Sequence, residues 1–143
     1  MRKALSLDVG GTKIYHTIVD EGGKICGDVE KHSTPKDLNK FIELFKSIFA
    51  KYENEVDVVA IATAGAVNNE NTGVISSTGN LVEEYNAINF HSMTKKNVYV
   101  ENDANSAAWA EHILGASKCC PNSIMITLGT GVGGGIIVNG RLF

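Results

Sequence analysis

Residues 4–13 read ALSLDVGGTK. Residues 4–9 are short and apolar and end in Gly10-Gly11, which predicts a strand running into a tight turn. Residues 14–20, IYHTIVD, alternate and contain β-branched and aromatic residues, so a second strand follows directly. Glu21, Gly22 and Gly23 turn the chain again, and residues 24–31 predict a third strand. These three segments form an antiparallel meander.

Further along, Pro35 and Asp37 open a helix whose Leu38, Phe41, Ile42, Phe45, Ile48 and Phe49 recur at helical spacing through about residue 53. Residues 57–63, DVVAIAT, suit a buried strand. Residues 64–80 are rich in Gly, Asn, Thr and Ser and predict a long loop with one short strand at residues 73–76. A loop of that length in a compact domain is usually functional. NVYV at 97–100 predicts another strand, and Ala104 to Leu114 an alanine-rich helix closing at Gly115. After the break at Cys119–Pro121, residues 123–128 and 132–138 predict two strands joined at Gly129-Thr130-Gly131. The order is βββαβαβα, an α/β domain with helices packed on a mixed sheet. The expected division is residues 1–118 as one lobe and 119–143 as the first hairpin of a second, truncated lobe. That hairpin, with open edges and an apolar face, is expected to pack on the preceding helix, to pair with another molecule, or to be poorly ordered.

The bulk numbers narrow the function classes. The chain has 143 residues, of which 43% are hydrophobic and 20% charged, as in a globular domain with a real core. The net charge of −3 includes no basic stripe, which argues against nucleic acid as a partner. No apolar run reaches the roughly 20 residues of a membrane helix, and the N-terminus lacks a signal peptide's apolar stretch. Cys26, Cys119 and Cys120 form no disulfide framework and no CxxC zinc signature. The expected location is the cytoplasm.

The chemistry-bearing residues fall at strand ends, where open α/β sheets place their sites. In the first motif, Asp8 lies at the lip of the turn Gly10-Gly11-Thr12-Lys13. Glycines let backbone N–H groups approach phosphate oxygens, Thr12 adds a hydroxyl donor and Lys13 a positive charge. Asp8 has the wrong sign to touch phosphate and makes sense beside Mg²⁺, through water. The Walker A pattern is absent, and an ordinary hairpin turn would use the same residues. The second motif, Gly129-Thr130-Gly131, repeats the strand–turn–strand logic. Two such turns would supply donors to both sides of a polyphosphate. The third motif is Asn102-Asp103 at the opening of a helix. Asp103 would accept the proton of an attacking hydroxyl while Asn102 holds sugar hydroxyls, although both types also favour helix N-caps. In the loop after residue 63, Gly65 would admit a ligand to the backbone, and Thr78 and Asn80 offer polar groups to hydroxyls.

With these residues in view, the chain resembles the ROK family (repressor, open reading frame, kinase). LDVGGTKI resembles its first phosphate motif, VENDANSAAWAE the stretch with its catalytic aspartate, and TLGTGVGGGIIVNGRLF its second phosphate motif. The resemblance runs from end to end and is nearest to glucokinases, fructokinases and N-acetylmannosamine kinases. It implies a ribonuclease H-like, actin-like ATPase lobe and ATP-dependent phosphorylation of a hexose or N-acetylhexosamine. Asp103 is then the general base; Gly65, Thr78, Asn80, Asn102 and Asp103 contact the sugar. Gly10, Gly11, Thr12, Lys13, Gly129, Thr130 and Gly131 contact the nucleotide, with Asp8 near Mg²⁺.

Ala64-Gly65 stands where many members have Pro-Gly. The family's glutamate–histidine sugar contacts, adenine-binding segment and cysteine-rich zinc motif are expected beyond Phe143. A structural zinc therefore belongs only to that missing lobe, and the fragment alone is expected to be inactive. The implied partners are a sugar and ATP, with no nucleic acid and no membrane, and a homo-oligomer is expected at full length. The alternatives are a sugar-sensing transcriptional regulator of the same family and a non-sugar actin-like ATPase.

Overall fold

The computed structural model describes residues 1–77, 80–129 and 131–143. In chain order the strands are β1 (Lys3–Val9), β2 (Lys13–Asp20) and β3 (Glu30–Ser33), then helix α1 (Leu38–Tyr52). β4 (Val58–Thr63), β5 (Ala66–Val67), β6 (Val74–Ser76) and β7 (Asn97–Asn102) follow, then α2 (Asp103–Ile113), β8 (Ser123–Leu128), β9 (Val132–Val138) and β10 (Arg141–Leu142). Two 3₁₀ turns, Tyr85–Ala87 and Phe90–Met93, lie before β7. By mutual packing these residues divide into Met1–Glu101 and Asn102–Phe143.

The first unit is built on a five-stranded sheet in the order β3-β2-β1-β4-β7. β1 pairs antiparallel with β2 and parallel with β4, so the sheet is mixed. Alternation along β1 buries Leu5, Leu7 and Val9. Ile14 and Ile18 of β2, Val59 and Ile61 of β4, and Val98 and Val100 of β7 join them. α1 lays Phe41, Phe45, Ile48 and Phe49 onto this face. It starts where it does because the Asp37 side chain accepts the Lys40 N–H, an N-cap. Phe41, Phe45, Tyr85 and Phe90 form one aromatic cluster with centroid spacings of 4.6–6.0 Å. No helix among the described residues is long and apolar enough to cross a membrane.

Three local expectations are corrected. The third strand occupies Glu30–Ser33 rather than 24–31; Ile25 makes only an isolated bridge to Val19. The Asp20 carboxylate accepts the Gly22 and Lys24 N–H groups, a side-chain-held turn that delays pairing. The loop after β4 contains a hairpin, β5 with β6, rather than a lone strand. Its tip is tied by Asn68, which accepts the Thr72 N–H, and by Asn71, whose amide donates to the Val100 carbonyl. Finally, the helix of the third motif begins at Asp103 and is capped by Asn102.

In the second unit β8, β9 and β10 form an antiparallel sheet. The hairpin packs on α2, the first of its three expected fates. Gly135 makes this possible: an added Cβ there would lie 2.4 Å from the Ala108 Cβ. The outward face carries Ile124, Ile126, Leu128 and Val132, all exposed.

Tyr85 supplies a test of the first unit. Its hydroxyl pairs with that of the fully buried Thr63 at 2.7 Å. Burial pushes the phenol up to about 12, against the smaller opposing effect of the Thr63 bond. An unfolded phenol ionises near 10.0, so stability is lost as pH rises from there towards about 12. Tyr85→Phe is expected to cost about 1–2 kcal/mol at neutral pH in urea unfolding and to flatten the alkaline loss. An unchanged urea midpoint would remove the anchoring role.

Candidate functional site

The end of β1 sets the first half of the site. Because Leu7 and Val9 face the core, Asp8 between them points to the opposite face and is exposed. Its neighbours in register are Tyr15 and Ala62. The turn that follows is closed by the Gly10 N–H on the Lys13 carbonyl at 2.9 Å. Neither Gly10 nor Gly11 has positive φ. Gly11 is required for another reason: an added Cβ would come within 2.9 Å of the Asn80 Cβ, so the turn after β1 and the Asn80 segment touch.

The segment after β3 holds this turn from one side. The Thr34 hydroxyl donates to the Gly10 carbonyl at 2.7 Å. The Lys36 ammonium donates to the Gly11 carbonyl at 2.6 Å and also to the Asn80 carbonyl. All peptides here are trans. In a trans peptide the C=O and the following N–H point in opposite directions. With the Gly10 and Gly11 carbonyls held by these side chains, the Gly11 and Thr12 N–H groups each point away from the anchor of the carbonyl before them. Sequence reading missed Thr34 and Lys36, whose only signal is their place between β3 and the Asp37 cap.

Gly65 stands just past β4, with φ of 113°. An added Cβ there would lie 2.5 Å from the Ser76 carbonyl oxygen. The chain's own packing demands glycine here, independently of any ligand. Asn80 and Lys13 are exposed. Thr78 and Thr130 lie outside the described residues.

The second unit carries the remaining residues. Asn102 caps α2 through its Oδ1, which accepts the Ala104 and Asn105 N–H groups at 3.0 and 3.1 Å. Asp103 is the first helical residue and is exposed, with Oδ1 accepting the Ala104 N–H at 2.8 Å. The cap role thus falls to Asn102, and Asp103 is not needed for it. Gly129 and Gly131 flank the β8–β9 turn, and an added Cβ at either meets nothing within 4 Å. Gly133, two residues on, lies against Ala104, which would stand 3.1 Å from its Cβ. The start of α2 and this turn therefore share one end of the unit.

Comparisons with known proteins agree with the motifs. The ROK family profile matches residues 4–143. A glucokinase of Streptomyces coelicolor is 37% identical over 145 residues, covering 99% of this chain and 45% of the relative. An N-acetylmannosamine kinase of Haemophilus influenzae is 35% identical over 144 residues, covering 96% of this chain and 46% of the relative. The crystal structure of a ROK family glucokinase from Streptomyces griseus, in complex with glucose and AMPPNP, superposes with a TM-score of 0.84 at 35% identity. It is matched over 99% of this chain and 46% of its own. The chain thus spans about half the length of the curated relatives it matches.

Lys36 gives the site its own test. Lys36→Met keeps the aliphatic stem and removes the ammonium from both carbonyls. The expected result is a small loss of stability, about 0.5–1.5 kcal/mol, with faster amide exchange confined to residues 10–13 and 80–82. Exchange unchanged in both segments would show that the lysine does not hold them.

Proposed function

The chain belongs to the ROK family, of the actin-like ATPase fold, and from that premise we propose that it is the nucleotide- and sugar-gripping part of an ATP-dependent kinase acting on a hexose or N-acetylhexosamine. The curated relatives are sugar kinases, which supports sugar phosphorylation in general. The observation that supports the nucleotide reading is the hold of Thr34 and Lys36 on the Gly10 and Gly11 carbonyls, which leaves the Gly11 and Thr12 N–H groups directed away from those anchors.

In this reading the amides of Gly11 and Thr12, the Thr12 hydroxyl and the Lys13 ammonium bind phosphate oxygens. Gly10 lets the backbone approach. Gly129, Thr130 and Gly131 supply the second set of contacts, and the open space at Gly129 and Gly131 suits a ligand there. The donor set fits a hydrated divalent ion: Asp8 is an exposed carboxylate at the lip of the turn, and Mg²⁺ held there through water would neutralise phosphate charge. Asn80, Asn102, Thr78 and the Gly65 backbone hold the sugar. Asp103 takes the proton from the attacking hydroxyl as the phosphoryl group moves. In phosphoryl transfer most catalysis is positioning and charge stabilisation, so the base contributes late and the turns contribute throughout. The chain by itself is expected to be inactive, because half a site loses orientation as well as contacts. The cytoplasm, with its ATP and Mg²⁺, is the proposed location.

The test is ADP release over glucose, fructose, mannose, N-acetylglucosamine and N-acetylmannosamine, for this chain and any longer form of it, with Asp103→Asn alongside. Turnover on one sugar, lowered at least about 100-fold by the substitution while sugar affinity holds, is expected. Turnover unaffected by Asp103→Asn would sink its role. Sugar binding without turnover in every form would favour a sensor.

A further inference from the structure

The register of β2 and β3 brings three metal-ligating side chains onto one face. His16 lies opposite Glu30, and His32, two residues beyond Glu30, faces the same way. His16 occupies an inward position between Ile14 and Ile18 and is 2% exposed. A polar ring in that apolar row is costly unless its nitrogens are used. Its Nδ1 has no hydrogen-bond partner among the described residues, so any compensation comes through Nε2. That atom lies 2.9 Å from His32 Nε2 and 3.9 Å from Glu30 Oε2. One donor atom from each residue fits within 4.8 Å of the others.

We propose that His16, Glu30 and His32 form a binding site for a borderline divalent transition metal such as Zn²⁺. Two imidazoles and one carboxylate suit that class and not Mg²⁺ or Ca²⁺. At metal–nitrogen distances of about 2.0–2.1 Å, tetrahedral ligation needs nitrogens roughly 3.3 Å apart. His32 sits on an edge strand and is half-buried, so its nitrogen can part from His16 by the few tenths of an ångström required, while Glu30 Oε2, 3.9 Å from His16 Nε2, must close in on both rings. In the metal-free chain the two rings share an N–H···N bond, which the ion would replace. The fourth position would be taken by water from the His32 side.

The carboxylate is already oriented. Glu30 Oε1 accepts from the Tyr52 hydroxyl and the Lys51 ammonium, leaving Oε2 towards His16. Ligating carboxylates are commonly held in this way. His16 Nδ1 lacks the matching acceptor, an omission that typically weakens a site about 10–100-fold. The ion would pin β3 to β2, one strand's length from Thr34 and Lys36. Its role is structural, and it stands apart from the proposed phosphate and sugar contacts.

The experiment uses the metal-stripped chain carrying Cys119→Ser and Cys120→Ser, which removes the two exposed thiols. Zn²⁺ is expected to raise Tm by about 5 °C or more at a hundredfold excess over Kd. Co²⁺ should give visible d–d bands well above those of the hydrated ion, without thiolate charge transfer. Both signals should vanish in His32→Ala and in Glu30→Gln, each still folded by circular dichroism; His16→Ala is avoided because the ring is core. No metal-dependent shift in Tm would overturn the site. So would a shift retained in His32→Ala, or a cobalt spectrum seen only when the cysteines are present.

Discussion

Side-chain alternation along β1, the strand at the centre of the five-stranded sheet, constrains everything built around it. β1 hydrogen-bonds to β2 on one side and to β4 on the other. With Leu5, Leu7 and Val9 committed to the aromatic core, Asp8 has no choice of face. A one-residue slip would drive the carboxylate into that core and expose all three apolar residues, so the register is strongly determined. The parallel partner matters as much. Val9 lies beside Thr63, so the turn leaving β1 and the segment Ala64-Gly65 leaving β4 emerge together. A fully antiparallel sheet would send those two ends to opposite edges. The first half of the site is a consequence of one parallel pairing.

The glycines around that site are present for different physical reasons. Gly65 satisfies a positive φ and a close carbonyl. Gly11 admits the Asn80 loop, and Gly135 admits helix α2. Gly129 and Gly131 answer to no neighbour among the described residues. A glycine-rich motif therefore mixes positions demanded by the chain with positions left open to something else.

The fold was legible where periodicity is strong. β1, β2, β4, β7 and α1 announce themselves through period-2 and period-3.6 patterns, and the α/β class follows. Where side chains rather than periodicity direct the backbone, the sequence misleads. Asp20 delays β3 by capping a turn, and Asn68 and Asn71 build a hairpin out of what reads as loop. Asn102 and Asp103 are both good caps by type, and only the hydrogen bonds say which one caps. Lys36 was the least visible of all. One lysine among 13 basic residues carries no pattern, and its role depends on two carbonyls 25 and 44 residues away.

That lysine acts on the turn after β1 through carbonyls alone. Lys36 holds the Gly11 carbonyl, and peptide planarity directs the Thr12 N–H away from the lysine. Thr34 does the same for the peptide before it. Both anchors descend from β3, a four-residue edge strand that would be weak on its own. What steadies β3 is its pairing with β2 and the grip of Lys51 and Tyr52 on Glu30 from the last turn of α1. Hydrogen bonds from Lys51 and then Tyr52 hold the Glu30 carboxyl down to about 2, so it stays an acceptor across the physiological range. The presentation of two backbone amides at the end of β1 thus depends on side chains at the far end of α1, transmitted through one short strand.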